Sequence, residues 1–372
     1  MLIMANQSVI LGMSGGVDSS VAALILQKQG FQVTGVFMKN WEEDDDTTTN
    51  FCNATQDLND AQQVCNKLNI PLLRVNFAAE YWDKVFSIFL QEYQAGRTPN
   101  PDILCNKEIK FKVFLDYAKQ LKADFIATGH YARINKQHNN VHLLTAFDQN
   151  KDQSYFLHAL TKEQLSNCLF PIGELNKQEV RKMASQAGLD NYNKKDSTGI
   201  CFIGERKFKN FLEKYLPHQP GKIITETGEV IGTHDGLMYY TIGQRKGLQI
   251  GGQASYHGMH KPWYVVDKNI NNNQLIVARG KNHPTLFAKQ LHAINFHWID
   301  PDQIITTDPF YCYAKIRYRQ TSQACSIQII NKNSNELLVI FENAQRAISP
   351  GQYIVFYKEN YCLGGAIIER SI

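Results

Sequence analysis

Short apolar runs alternate with helical periodicities through residue 205, which predicts a parallel sheet covered by helices. Ser8–Gly12 reads as a strand and Asp18–Gln29 as a helix with Val21, Leu24, Ile25 and Gln29 at helical spacing. Phe31–Met38 and Pro71–Val75 read as further strands, with a helix over Ala54–Leu68 between them, Asn53 as its cap and Gln56 at its third position. Tyr81–Tyr93 and Lys107–Leu121 read as helices and Phe125–Thr128 as a strand. Asn176-x-x-Glu179 is a second capping-box pattern, opening a helix that stops at Gly188.

The pattern changes near residue 205. Past one helix around Phe208–Tyr215, short alternating runs follow at Lys222–Thr225, Glu229–Thr233, Trp263–Asp267 and Gln274–Ala278. Five more follow, at Tyr311–Arg319, Ala324–Ile330, Leu337–Phe341, Tyr353–Tyr357 and Leu363–Glu369, a spacing that suits a small antiparallel barrel or sandwich. The expected division is an α/β domain over 1–205, a small connector over 206–280 and a β-rich domain over 281–372. At roughly 100–200 residues per domain, the 372-residue length agrees with two or three domains.

Composition adds little until it is cut by region. Hydrophobic residues are 43% of the chain, enough for a real core, and the net charge is only +4. That charge divides as −3 over 1–205, +5 over 206–280 and +2 over 281–372, so the second half carries the positive excess. No apolar run approaches the ~20 residues of a membrane span, and the eight cysteines form no C-x-x-C pair. A soluble, cytoplasmic, thiol-reduced protein without a membrane partner is the expectation. The acidic run Glu42–Asp46 reads as a solvated loop.

Candidate chemistry begins at the end of the first strand. Gly12-Met13-Ser14-Gly15-Gly16-Val17-Asp18-Ser19-Ser20 is a glycine-rich turn running into a helix, where free N–H groups and the helix dipole favour an anion. It is neither the dinucleotide fingerprint nor the Walker loop, since no lysine precedes its serines and Asp18 stands there instead. An acid beside phosphates implies a bridging Mg²⁺. A bare strand-to-helix turn with no ligand is the competing reading, but Ser14–Ser19 resembles the signature of the PP-loop ATP pyrophosphatases, which cleave ATP between the α and β phosphates.

Two cysteines stand in unusual company. Cys105 follows the proline-pinned Thr98–Leu104 at or near the start of the predicted helix, where the dipole and Lys107 favour thiolate, with Asp102 three residues earlier. Cys201 lies in Ser197–Gly204 and is followed by Arg206 and Lys207. A buried free cysteine is an ordinary core residue, and Cys52, Cys65, Cys168, Cys312, Cys325 and Cys362 read as such.

Eight collinear blocks carry a closer likeness. Gly12–Ser20, Val36–Trp41, Thr98–Lys107, Ala127–Ala132, Lys151–Phe156, Ser197–Gly204, Thr241–Gly247 and Ser349–Gln352 resemble the bacterial tRNA-specific 2-thiouridylase (MnmA) family. The resemblance implies a doubly wound PP-loop domain of the adenine nucleotide α-hydrolase type, a small central domain and an antiparallel β-barrel. The implied activity adenylates the C2 oxygen of the wobble uridine of tRNA and replaces it with persulfide sulfur, giving 2-thiouridine, AMP and pyrophosphate. ATP and Mg²⁺ are the implied cofactors, with no tightly bound protein metal. The partners are the anticodon stem-loop of tRNA and a sulfur-relay protein or cysteine desulfurase.

The family roles map by position. Gly12, Met13, Ser14, Gly15, Gly16, Val17, Asp18 and Ser19, with Met38 and Gly129, match the ATP site, and Asp18 is the candidate Mg²⁺ contact through ATP. Cys201 matches the persulfide carrier, Cys105 the nucleophile that forms a disulfide with it, and Asp102 the acid/base candidate. Asn100, Pro101 and Asp102 match the target-base contact, and His130, Lys151, Asp152, Gln153, Arg317, Tyr318 and Gln352 match tRNA contacts. Read alone, His130 is a structural histidine and Arg317 part of a solvated face. Two rivals remain: a PP-loop ligase or amidotransferase adenylating a small carboxylate, which needs neither cysteine, and a non-catalytic RNA-binding protein.

Overall fold

A computed structural model describes residues 7–42, 53–137, 140–196, 208–250, 261–301, 309–331 and 334–372. Its first sheet holds β1 (Ser8–Gly12), β2 (Gln32–Lys39), β3 (Leu72–Asn76), β4 (Phe125–Ala127) and, after the hairpin β5 (Ala132–Gln137) and β6 (Asn140–Thr145), the short β7 (Cys168–Leu169). The order is β3-β2-β1-β4-β7 and every pairing is parallel. Strand order therefore reverses at β1, and the crevice between the C-terminal ends of β1 and β4 is where doubly wound sheets place ligands.

Alternation along β1 divides the core. Val9 and Leu11 face one layer with α1 (Val17–Lys28) and α2 (Asn53–Leu68). Ile10 faces the other, with the helical stretches α3 (78–94) and α4 (101–120) supplying Phe86, Phe89, Ile103 and Phe114. Residues 82–86 of α3 and 105–113 of α4 are wound as π-helix, a rare form that recurs at functional sites. The helix α5 (Lys177–Gln186) opens with the expected capping box, Asn176 accepting from the Glu179 N–H and Glu179 from the Asn176 N–H. The chain then leaves it through Gly188 at φ +67°.

The middle sheet is β10-β11-β8-β9, built from β8 (Gly221–Thr225), β9 (Val230–His234), β10 (Trp263–Asn269) and β11 (Gln274–Arg279). The last six strands are β12 (Phe287–Trp298), β13 (Phe310–Lys315), β14 (Gln323–Asn331), β15 (Glu336–Arg346), β16 (Tyr353–Lys358) and β17 (Tyr361–Ser371). They run antiparallel in the order β12-β15-β14-β13-β16-β17, and β12 pairs with β17 to close a barrel around Leu291, Ile327, Val339 and Phe356. The hairpin β5–β6 extends this same sheet, pairing Tyr361 with Leu144 and Cys362 with Leu143. Main-chain hydrogen bonds thus tie the first, α/β part of the chain to the barrel.

Among the described residues no helix is long and apolar enough to cross a membrane.

Candidate active site

The glycine loop occupies the β1/β4 crevice. Met13 N–H donates to Val36 O at 2.8 Å, Gly15 takes φ +73°, and α1 starts after Gly16, which offers no side-chain cap to the opening N–H groups. Those groups are left for an anion. Ser19 and Ser20 turn their hydroxyls inward onto Gly16 O, while Ser14 is exposed. A Cβ on Gly129 would lie 2.7 Å from the Ser19 N, so Gly129 lets the end of β4 close on the first turn of α1. Met38 borders Gly12 from β2, its Cε 3.2 Å from where a Cβ there would stand. Gly12, Met13 and Val17 are buried beneath the loop.

Charge around the loop is paired. Asp18 accepts from Lys177 Nζ on both oxygens at 2.7 and 2.8 Å and from Tyr131 OH at 2.9 Å. Lys177 also contacts Asp196 at 2.6 Å, and Asp196 contacts Lys151 at 2.6 Å. Burial pushes the Asp196 carboxyl up, but the hydrogen bonds from Lys151 and Lys177 outweigh it and hold it below its ordinary value. On the other flank, Asn191 and Lys194 reach Gly15 O at 3.1 and 3.3 Å. Among the described residues no group of three or more His, Cys, Asp or Glu could hold a metal ion.

The second candidate element is α4. Asn100 is extended, Pro101 occupies the first helical position, and the helix starts there rather than at Lys107. This corrects the placement of Cys105. It is the fifth helical residue, buried at 2% exposure, and its N–H is already spent on Pro101 O and Asp102 O. The free first-turn N–H groups that would favour thiolate lie a turn earlier. Asp102 stands one turn before Cys105 on the same face. Burial raises the Asp102 carboxyl above its ordinary value, only partly offset by Lys110, which suits an acid/base group. Phe114, further along α4, reaches within 3.8 Å of a Cβ built on Gly12, so helix and loop share one wall. Cys201, its proposed disulfide with Cys105, and the basic pair Arg206 and Lys207 lie outside the described residues.

The loop before α4 is clamped by both other parts of the chain. Gln352 Nε2 donates to Thr98 O at 2.8 Å, Thr98 N–H donates to Pro350 O at 2.9 Å, and the Thr98 and Thr241 hydroxyls stand 3.1 Å apart. Gln352 thus holds the loop that carries Asn100, Pro101 and Asp102. The other candidate RNA residues differ in exposure. His130 is buried against Phe111 and Phe170, bonded to Thr128 Oγ1 at 2.8 Å, and burial holds its imidazole neutral. Asp152 is buried too, accepting from the Ala146 and Ser154 N–H groups and paired with Lys315 of the barrel at 3.3 Å. Gln153 accepts from Tyr131 N–H at 2.9 Å. Arg317 is exposed and reaches Ala347 O, and Tyr318 packs against Phe156 with ring centroids 4.4 Å apart and planes tilted by 48°.

Family models match nearly all of this architecture. The "tRNA methyl transferase HUP domain" covers residues 7–205, the "tRNA methyl transferase PRC-barrel domain" 209–279, and the "Aminomethyltransferase beta-barrel domain" 288–368. The chain is 58% identical over 365 residues to the "tRNA-specific 2-thiouridylase MnmA" of Psychromonas ingrahamii, spanning 98% of this chain and 97% of that one. The chain belongs to the tRNA-specific 2-thiouridylase family. The protein of the same name from Haemophilus influenzae strain PittGG is also 58% identical, over 99% of this chain and 94% of its own. A solved 4-thiouridine synthetase–RNA complex with bound ATP aligns far more loosely, at 16% identity and TM-score 0.33 over 56% of this chain and 49% of that chain.

Against this family background, the sequence left several site residues unmarked. Tyr131, Lys177, Asn191 and Lys194 all touch the glycine loop or its Asp18, from more than a hundred positions away. Tyr131 lay within the Ala127–Ala132 block without a role assigned to it, and the capping box around Lys177 announced a helix rather than a site.

Proposed function

We propose that this chain is an ATP-dependent tRNA uridine 2-sulfurtransferase whose work is divided among residues 1–205, 206–280 and 281–372. The observation that carries the reading is the meeting of two elements. A glycine loop with uncapped helix N–H groups lies beside a helix that presents Asp102 and Cys105 one turn apart. Near-full-length identity with curated 2-thiouridylases supports the same assignment.

The chemistry explains why a phosphate loop and thiols share one chain. The C2 oxygen of uracil is a poor leaving group. Attack by that oxygen on the α-phosphorus of ATP expels pyrophosphate and converts the oxygen into an AMP leaving group. Cys201, charged as a persulfide by a sulfur-relay protein or cysteine desulfurase, delivers its terminal sulfur to C2 and AMP departs. The Cys105 thiolate then attacks the inner sulfur of Cys201, breaking the S–S bond. The sulfur stays on the base, a Cys105–Cys201 disulfide forms, and a thiol reductant supplies two electrons to reset it. Asp102, with its raised pKa, exchanges the proton at the target base.

Gly12 to Ser19, Met38 and Gly129 hold the nucleotide. Mg²⁺ enters as the counter-ion of ATP, with Asp18 as its candidate contact through the nucleotide. Asn100 and Pro101 meet the base, and Lys151, Gln153, Arg317 and Tyr318 meet tRNA. His130, Asp152 and Gln352 support those contacts from buried or half-buried positions. The target base must leave its stack to be reached. The reaction takes place in the cytoplasm, where both thiols stay reduced between turnovers.

Pyrophosphate release from ATP is the discriminating test. It should require tRNA bearing a wobble uridine and give equal AMP. Release driven by a small carboxylate without RNA would refute the assignment, and no release under any condition would leave only RNA binding.

A further inference from the structure

Lys177 holds a position that its own helix does not favour. It is the first residue of α5, where the helix dipole disfavours a cation. Its main chain is fixed by the Asn176–Glu179 box and by an N–H bond to Asp148 at 3.1 Å. Its side chain leaves the helix, passes 5.7 Å over the Tyr131 ring and ends on both oxygens of Asp18, 12% exposed. Between Gly12 and Ser20 the loop has no lysine, and Asp18 is its only charged residue. The ammonium at the loop's mouth is therefore supplied from 159 residues away.

We propose that Lys177 is the cation that binds the phosphates of the nucleotide. The inference rests on the reading of the loop as an ATP site and assigns that site its positive charge. Asp18 and Asp196 share Lys177, but Asp196 also holds Lys151, so Asp196 stays paired when Lys177 turns to a phosphate. Lys194 also reaches the loop, at Gly15 O, yet Asp57 and Asp60 both hold it, and neither has another cation among the described residues. Lys177 is the lysine that can turn to a phosphate while one of its two carboxylates, Asp196, keeps a second cation and the other, Asp18, keeps the Tyr131 hydroxyl.

Calorimetric titration of the full chain with MgATP, inorganic pyrophosphate and adenosine tests this. Lys177→Met should raise the Kd for ATP and for pyrophosphate about tenfold or more, roughly 1.4 kcal/mol, while adenosine affinity changes less than about twofold. Lys177→Arg should restore most of the ATP affinity. Asp196→Asn frees Lys177 from a competitor and should tighten pyrophosphate binding about threefold, a gain that a poorly folded variant cannot mimic. Unchanged ATP affinity in Lys177→Met, an equal loss on adenosine, or no gain in Asp196→Asn would overturn the proposal. If the unaltered chain bound none of the three ligands, the reading of the loop itself would fall instead.

Discussion

Gly15 shows how narrowly the loop is built. Its φ of +73° is in the left-handed region, and a Cβ there would lie 2.2 Å from Asp57 O. Gly15→Ala should therefore cost more than the ~1–2 kcal/mol of the backbone term and displace the loop from α2. Thermal unfolding and ATP titration should both report it, with a lower Tm and ATP binding weakened at least about tenfold, and an unchanged Kd would show that the loop does not hold the nucleotide. The loop was legible in sequence because its chemistry is local: a strand end, glycines and a helix start within nine residues. Lys177 was not legible, because nothing near it in the chain names its partner. Among the cysteines, burial alone does not separate Cys105 from Cys65, Cys168, Cys312, Cys325 and Cys362, all buried. What singles out Cys105 is Asp102 one turn away.

At the scale of elements, α4 and the barrel strands carry the lesson. The prolines before Cys105 suggested a rigid loop, yet Pro101 opens the helix because its fixed φ and missing N–H suit the first position. Cys105 is thereby carried into the second turn, held by the helix rather than by a loop. Cys105→Ser should fold, bind ATP and bind tRNA, but form no 2-thiouridine. Normal turnover by that variant would rule out the two-cysteine release step. The strand β12 escaped the alternation rule because register shifts at Ala288/Gln290, His292/Ala293 and Ile294/His297 break its period. The β5–β6 hairpin was missed for a different reason: its partner strand lies more than two hundred residues away.

The molecule as a whole is joined at the loop before α4. Gln352 and Pro350 hold that loop from the barrel, Thr241 touches it from the middle part, and Lys268 donates to Gly96 O at 2.8 Å. Burial lowers the Lys268 pKa to about 8. The unfolded chain binds this proton up to about pH 10.4, so the cost of burying the charge is full below pH 8 and fades as pH rises toward 10.4. The stability of the native chain relative to Lys268→Met should improve over that interval in denaturant titrations, and a difference that stays flat with pH would contradict a buried charge. The regional charge excess is less free than it looks, since Lys209 is paired with Asp235 and Glu213. Positive charge that meets RNA must come from other residues, which a count along the chain could not distinguish.

The central claim is that this chain places sulfur on the wobble uridine at the expense of ATP and through Cys201. Mass analysis of nucleosides from tRNA incubated with the full chain, ATP, Mg²⁺ and a persulfide donor tests it directly. The wobble uridine should gain the mass of sulfur in place of oxygen, and only when ATP is present. Cys201→Ser should give no gain, although that variant still binds ATP and tRNA. An unmodified wobble uridine with the native chain, or full thiolation by Cys201→Ser, would contradict it.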